Sequence, residues 1–168
     1  MFSLGILIIS DKGWQGQRED KSGKAIRDSI STLDSRVVKY EVIPDEVALI
    51  ASKLAQWADE GNVDIILTTG GTGLGPRDVT PEATLSIVDK VAPGFTEAMR
   101  ARTFNTTPLA ILSRAVAGIR GKCLIINLPG SPKAVRECLE IILPAIPHAV
   151  EIVKGEVTDH ALPDMERD

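Results

Sequence analysis

Apolar residues follow two alternating rhythms along this chain. Leu4–Ile9, Val37–Ile43 and Val63–Thr68 are short, mostly apolar runs, the length and character of buried strands. Between them the spacing becomes helical. Ser22 caps a helix running to about Leu33, and Val47, Ile50, Leu54 and Trp57 share one face behind Pro44-Asp45-Glu46. Gly61 supplies a stop for that second helix. The polar stretch 10–21 reads as a loop. Further on, Thr80-Pro81-Glu82 predicts a helix start, with Thr at the cap and Pro at the first helical position. Pro93-Gly94 interrupts, and another helix is expected over Phe95–Arg102. Ala115–Gly118 and Lys122–Asn127 flank Arg120-Gly121 as a hairpin. Ser131-Pro132 repeats the cap-plus-Pro device before a helix with Val135, Cys138, Leu139 and Ile142 on one face. Pro144 and Pro147 restart the chain into a last helix ending near Lys154-Gly155.

Strands that alternate with helices and lack a polar face predict an α/β fold: a three-layer, doubly wound, mostly parallel sheet with helices on both faces. At 168 residues the chain suits one domain with a sizeable core. We place that domain at 1–155 and a polar tail at 156–168.

Composition narrows the function. A net charge of −4 with no basic run argues against nucleic acid. One Tyr, two Trp and three Phe give few platforms for stacking bases. No apolar run reaches the roughly 18 residues of a membrane span. The opening MFSLGILIIS lacks a basic region and a cleavage site, so it reads as a strand and not a leader. Cys123 and Cys138 form no CxxC and have no His at ligand spacing; they read as buried free thiols in a reducing, cytoplasmic compartment.

The chemistry gathers where strands end. In open α/β sheets ligands bind beyond the carboxyl ends of the strands. Four segments stand there: Ser10-Asp11, Pro44-Asp45-Glu46, Gly70–Asp78 and Asn127–Ser131. In LTTGGTGLGPRDVT the glycines Gly70, Gly71 and Gly73, with Thr72 among them, let backbone N–H groups approach an anion. A Walker A loop needs Lys where Pro76-Arg77 follow Gly75, and a dinucleotide fingerprint also fails at Pro76. The alternative is a tight turn with no ligand. Asp78 follows at once. At about 4 Å and an effective dielectric near 20, two like charges cost about 4 kcal/mol, so an acid beside phosphate calls for a cation. Magnesium, held by Asp78 and Asp45 together with phosphate oxygens, meets that need. The alternatives are a helix-start acid at Asp45 and a turn acid at Asp78. Arg77 either clamps a phosphate or pairs with Asp78. Pro129-Gly130-Ser131 offers a second anion site or a plain capped turn.

TTGGTGLGPRDVTPEAT, the earlier SDKG…EDKSG and IPDE, and the later ILSR…GIRGK…LIINLPGSPKAVRECLEIILPAIPHA together resemble the MogA family of molybdenum-cofactor biosynthesis. They also resemble the G domain of gephyrin. The likeness runs from about Leu4 to Lys154. It implies a molybdopterin adenylyltransferase using ATP and Mg²⁺, releasing pyrophosphate and passing adenylyl-molybdopterin to a molybdate-inserting enzyme. It implies a homotrimer. It assigns catalytic standing to Asp45 and Asp78, and a lining role to Ser10, Asp11, Gly70, Gly71, Thr72, Gly73, Pro129, Gly130 and Ser131. Asp20 or Asp11 is a further candidate to accept the paired N–H donors of the pterin edge. A MoaB-like paralogue and a non-catalytic molybdopterin-binding trimer are the competing readings.

Overall fold

The computed structural model describes residues 1–156. Except for Glu156, the tail expected at 156–168 lies outside the described residues. Six strands form one sheet: β1 (Phe2–Ile9), β2 (Ser35–Ile43), β3 (Ile65–Thr69), β4 (Lys90–Val91), β5 (Ala117–Arg120) and β6 (Cys123–Leu128). Their order is β2-β1-β3-β6-β5-β4. The first four in that order run parallel, β5 runs against them, and the short edge strand β4, antiparallel to β5, runs with them again. The mostly parallel three-layer fold matches the sequence expectation.

Alternation within the strands sorts the core into two halves. On one face Ile6, Ile8, Leu67 and Ile126 meet α2 (Lys21–Ile30), α5 (Pro93–Phe104), α6 (Pro132–Ile142) and α7 (Ile146–Lys154) through Ile26, Met99, Leu139 and Val150. On the other, Leu7, Ile9, Ile66 and Ile125 meet α3 (Val47–Asp59) and α4 (Thr80–Leu85) through Ile50, Leu54, Trp57 and Ala83. Strands covered on both faces need side chains apolar on both, which is the pattern these runs carry. Cys123 and Cys138 are buried free thiols, and burial pushes them up to about 12 and about 11.

Register decides where the loops emerge. Ile8 pairs with Thr69, Thr69 with Leu128, and Ile9 with Ile43. The four parallel strands therefore finish almost level, and the segments beginning at Ser10, Pro44, Gly70 and Pro129 leave the sheet side by side.

Several local expectations change. Residues 10–21 are not all loop: Asp11–Trp14 make a single helical turn, α1, capped by Ser10, whose Oγ accepts from the Gly13 amide at 3.1 Å. The cap of α2 is Asp20, not Ser22. The Asp20 carboxylate accepts the Gly23 amide at 2.8 Å and the Ser22 hydroxyl at 3.3 Å, so Ser22 lies inside the first turn. Thr80 does not cap α4. Val79 holds that position, and the Thr80 hydroxyl instead donates to the Gly70 carbonyl at 2.9 Å. Pro93 opens α5 instead of breaking the chain, as its ring suits a first helical turn. The short strand β4 and the 3-10 turn at Pro108–Leu112 carry no signal in the apolar pattern. Ser131 caps α6 as expected, accepting from the Ala134 amide at 3.1 Å.

Candidate functional site

The glycine loop leaves β3 with two left-handed residues, Gly70 at φ +100° and Gly71 at φ +65°. A β-carbon at Gly70 would overlap the Ile9 carbonyl oxygen; one at Gly71 would collide with the Thr80 hydroxyl and stand 3.1 Å from Asp45 Oδ1. Only glycine permits both the backbone angle and the approach. Thr80 ties the loop back: its amide donates to the Gly71 carbonyl at 3.0 Å. Further along, the Asp78 carboxylate accepts the Gly75 amide at 2.8 Å, and the Asp78 amide donates to the Gly75 carbonyl at 3.0 Å.

Asp11 and Asp45 belong to neighbouring loops and interlock. The Asp11 amide donates to Asp45 Oδ2 at 2.8 Å, and the Asp45 amide donates to Asp11 Oδ1 at 3.0 Å. Arg77 then grips Asp11 with Nε at 3.0 Å from Oδ2 and Nη2 at 2.9 Å from Oδ1. Its fork is thus committed to Asp11, not Asp78, with Glu46 at 3.9 Å as its second acid. The Arg77 guanidinium and the Asp45 amide hold the Asp11 carboxyl below the usual carboxylate range. Asp45 shifts the other way. Burial raises it, and the charges of Asp11 and Asp78 add to the shift, against the hydrogen bond from Asp11 and the charge of Arg77.

Two cavities lie against these loops. One, of about 440 Å³, is walled by Thr72, Gly73 and Pro129 together with Met99 and Arg100 of α5 and Leu109 and Leu112 of the 3-10 turn. The other, of about 490 Å³, is walled by Ser10, Asp45 and Gly70 together with Arg18, Glu19, Asp20 and Lys21. Gly71, Asp78, Gly130 and Ser131 line both. Gly130 sits so near Gly70 that a β-carbon on it would be 3.4 Å from the Gly70 Cα.

A family profile described as a probable molybdopterin binding domain matches residues 5–148. The chain belongs to this family. The molybdopterin adenylyltransferase of Helicobacter pylori strain J99 is 49% identical over 154 residues, 90% of this chain and 88% of that protein. The crystal structure of the molybdopterin biosynthesis enzyme MoaB from Thermus thermophilus superposes with TM-score 0.88 at 52% identity, covering 92% of this chain and 98% of the other. The Mog protein of Mycobacterium ulcerans superposes with TM-score 0.84 at 35% identity, covering 91% and 99%.

Within this molybdopterin-binding domain, every residue singled out from sequence except Asp11 and Arg77 lines one cavity or the other. Those two form the tie behind Asp45. Asp20 lines the second cavity, yet its carboxylate is already engaged by the Gly23 amide and the Tyr40 hydroxyl. Asp11 is likewise engaged on both oxygens. Neither has a free pair of acceptors for a pterin edge in this arrangement. The outer wall of the first cavity, from α5 and the 3-10 turn, carried no signal in the sequence, because PGFTEAMRARTF has no clear apolar face: its buried residues are Thr96, Met99 and Thr103. Arg114 carried none either, because its partners lie far off in sequence: Gly73 is 41 residues away.

Proposed function

We propose that the chain is a molybdopterin adenylyltransferase. The observation that carries this reading is the pair of cavities meeting at Gly71, Asp78, Gly130 and Ser131. Two substrates, one in each cavity, bring a phosphate of each to the place where the cavities adjoin. The terminal phosphate oxygen of molybdopterin forms a bond to the α-phosphorus of ATP. The bond from that phosphorus to the bridging oxygen of the β-phosphate breaks, and pyrophosphate leaves with the electron pair. The named relatives and the family support the substrate pair. Phosphoryl-type transfer draws its rate from positioning and from neutralising charge, so no protein nucleophile is needed.

The residues divide that work. Gly70, Gly71, Thr72 and Gly73 present backbone amides and one hydroxyl to phosphate oxygens. Ser131 and the start of α6 stand at the shared wall, where a helix start favours an anion. Asp11 and Arg77 orient Asp45.

The donor set fits magnesium. Among the described residues no cluster of three or more His, Cys, Asp or Glu is arranged to hold a metal alone. Asp45 and Asp78 offer hard oxygens on the same cavity. Magnesium typically takes one or two carboxylates and completes its shell with phosphates and water. Asp45 is raised in part by the Asp78 charge, a mutual repulsion that a divalent cation relieves. When bound, the ion supplies neutralisation of the phosphate charge that builds during transfer.

The same reading gives a cytoplasmic homotrimer that passes its product to a molybdate-inserting enzyme. Exposed Leu109, Ile111 and Leu112 offer apolar surface for self-association. A MoaB-like paralogue is the competing reading, favoured by the 52% identity to the Thermus protein. Incubation with molybdopterin, ATP and Mg²⁺ separates the two. Pyrophosphate and adenylyl-molybdopterin form together if the proposal holds; no product above a protein-free control refutes it.

A further inference from the structure

Arg114 stands outside both cavities, yet it holds more of the glycine loop than any other described side chain. Its Nε donates to the Gly73 carbonyl at 2.7 Å and its Nη2 to the Asp78 carbonyl at 2.6 Å. Its own amide donates to the Thr72 carbonyl at 2.8 Å. Glu82, in the first turn of α4, fixes the far side of the guanidinium through an ion pair. One residue thus gathers three carbonyls from both limbs of a loop that contains Gly70, Gly71, Gly73 and Gly75.

The consequence follows from peptide geometry. In a planar trans peptide the carbonyl and the next N–H point in opposite directions. Binding the carbonyls of Thr72, Gly73 and Asp78 turns the amides of Gly73, Leu74 and Val79 away from Arg114. Gly73 itself lines the first cavity. A glycine-rich segment loses more backbone freedom on ordering than any other, so a loop built this way needs an outside restraint to keep its amides aimed. Arg114 is suited to that task because a guanidinium has five donors in a rigid fork and stays charged. Asp78 feels the same restraint through its own carbonyl.

We propose that Arg114, held by Glu82, is a positioning residue for the reaction: it fixes the peptide orientations of 72–79 before substrate arrives. The inference rests on the adenylyltransferase reading for its catalytic consequence, but the restraint itself is measurable without turnover.

Two readouts test it on the full chain, comparing wild type, Arg114→Ala, Arg114→Lys and Arg120→Ala. Arg120 serves as the control. It too is bound to an acid and a carbonyl, Asp59 and Ile87, away from both cavities. Amide hydrogen exchange in the free protein should speed up at least about tenfold within 72–79 in Arg114→Ala, read at Gly75 and Asp78, whose amides are hydrogen-bonded in this loop, and remain unchanged in β1 and β6. Adenylyl transfer, assayed where each variant is fully folded, should lose about 100-fold in kcat in that variant, the scale set by small misplacements of catalytic groups. Arg114→Lys should recover part of the rate, and added guanidinium ion should restore part of it to Arg114→Ala. Arg120→Ala should lose thermal stability and keep its kcat. Unchanged exchange over 72–79 overturns the restraint. Faster exchange with wild-type kcat, or an equal kcat loss in Arg120→Ala, overturns its catalytic role. A wild type that makes no product refutes the enzyme reading instead and leaves exchange to decide the restraint.

Discussion

Asp11 and Asp45 each accept the other's backbone amide, at 3.0 and 2.8 Å. The loops after β1 and β2 are joined by this exchange, and Arg77 locks it from the third loop. Asp45 is thus an acid whose backbone and side chain are both anchored by a neighbour, leaving Oδ1 turned toward Gly71.

Replacing Asp11 by Ala removes the acceptor of the Asp45 amide and the partner of Arg77, while the Asp11-to-Asp45 amide bond survives. Asp11 is partly exposed, with 34% of its side chain accessible, so water screens the ion pair. A stability loss of only about 1 kcal/mol is expected. Turnover should fall by about tenfold or more, because Asp45 loses its orientation. Denaturant unfolding and initial-rate assays on one preparation check the contrast. A large stability loss with normal turnover would show that the tie serves folding alone.

Asp45 should make the free protein less stable as pH rises. Its carboxyl is raised by burial and by Asp11 and Asp78, so the folded chain holds that proton more tightly than the unfolded chain does. Below the ordinary carboxylate value both states are protonated. Between that value and the raised folded one, the unfolded chain releases its proton first, and stability drops. Asp45→Asn keeps an acceptor for the Asp11 amide and removes the titration. Its stability advantage over wild type should grow with pH through this window and then level off. Thermal unfolding of both proteins from about pH 4 to pH 8 without ligand measures it; an advantage that shrinks with rising pH contradicts the assignment.

Asp78→Asn should leave the loop standing, since an amide oxygen still accepts from Gly75. Pyrophosphate release should nevertheless fall by about 100-fold or more, the scale of losing one preorganised charge contact. Turnover near that of wild type would remove Asp78 from the mechanism.

Gly70→Ala should be the most damaging single change in the loop. The residue is at φ +100°, and its β-carbon would collide with the Ile9 carbonyl oxygen, a backbone atom and not the end of a flexible side chain. A cost of about 3 kcal/mol, or failure to accumulate folded protein, is expected. A variant that melts within a few degrees of wild type would mean that the ends of β1 and β3 part easily to admit the methyl group.

The sequence made the layers and the strand-end loops legible because each rests on local chemistry. Continuous apolar runs mark buried strands, and Ser131-Pro132 marks a helix start. It failed where two local options competed for one residue. Asp20 displaces Ser22 as a cap because its carboxylate takes both the Gly23 amide and the Ser22 hydroxyl. Thr80 leaves its cap position because its hydroxyl finds the Gly70 carbonyl. Arg77 reads most simply against its sequence neighbour Asp78, but its partner is Asp11, 66 residues away. Partners of long charged side chains depend on how loops are brought together, and no window along the chain contains that information.

The wall shared by the two cavities is made of two glycines, a serine and one acid. Nothing bulky stands in it to swing aside, so on the proposed reading no gate separates the reactants once both are seated. Two polyanions meeting along these residues repel each other, and the second to arrive meets the charge of the first. Apparent affinity for either substrate should therefore weaken by the same factor when the other is bound, a coupling that belongs to these shared residues and not to any moving part.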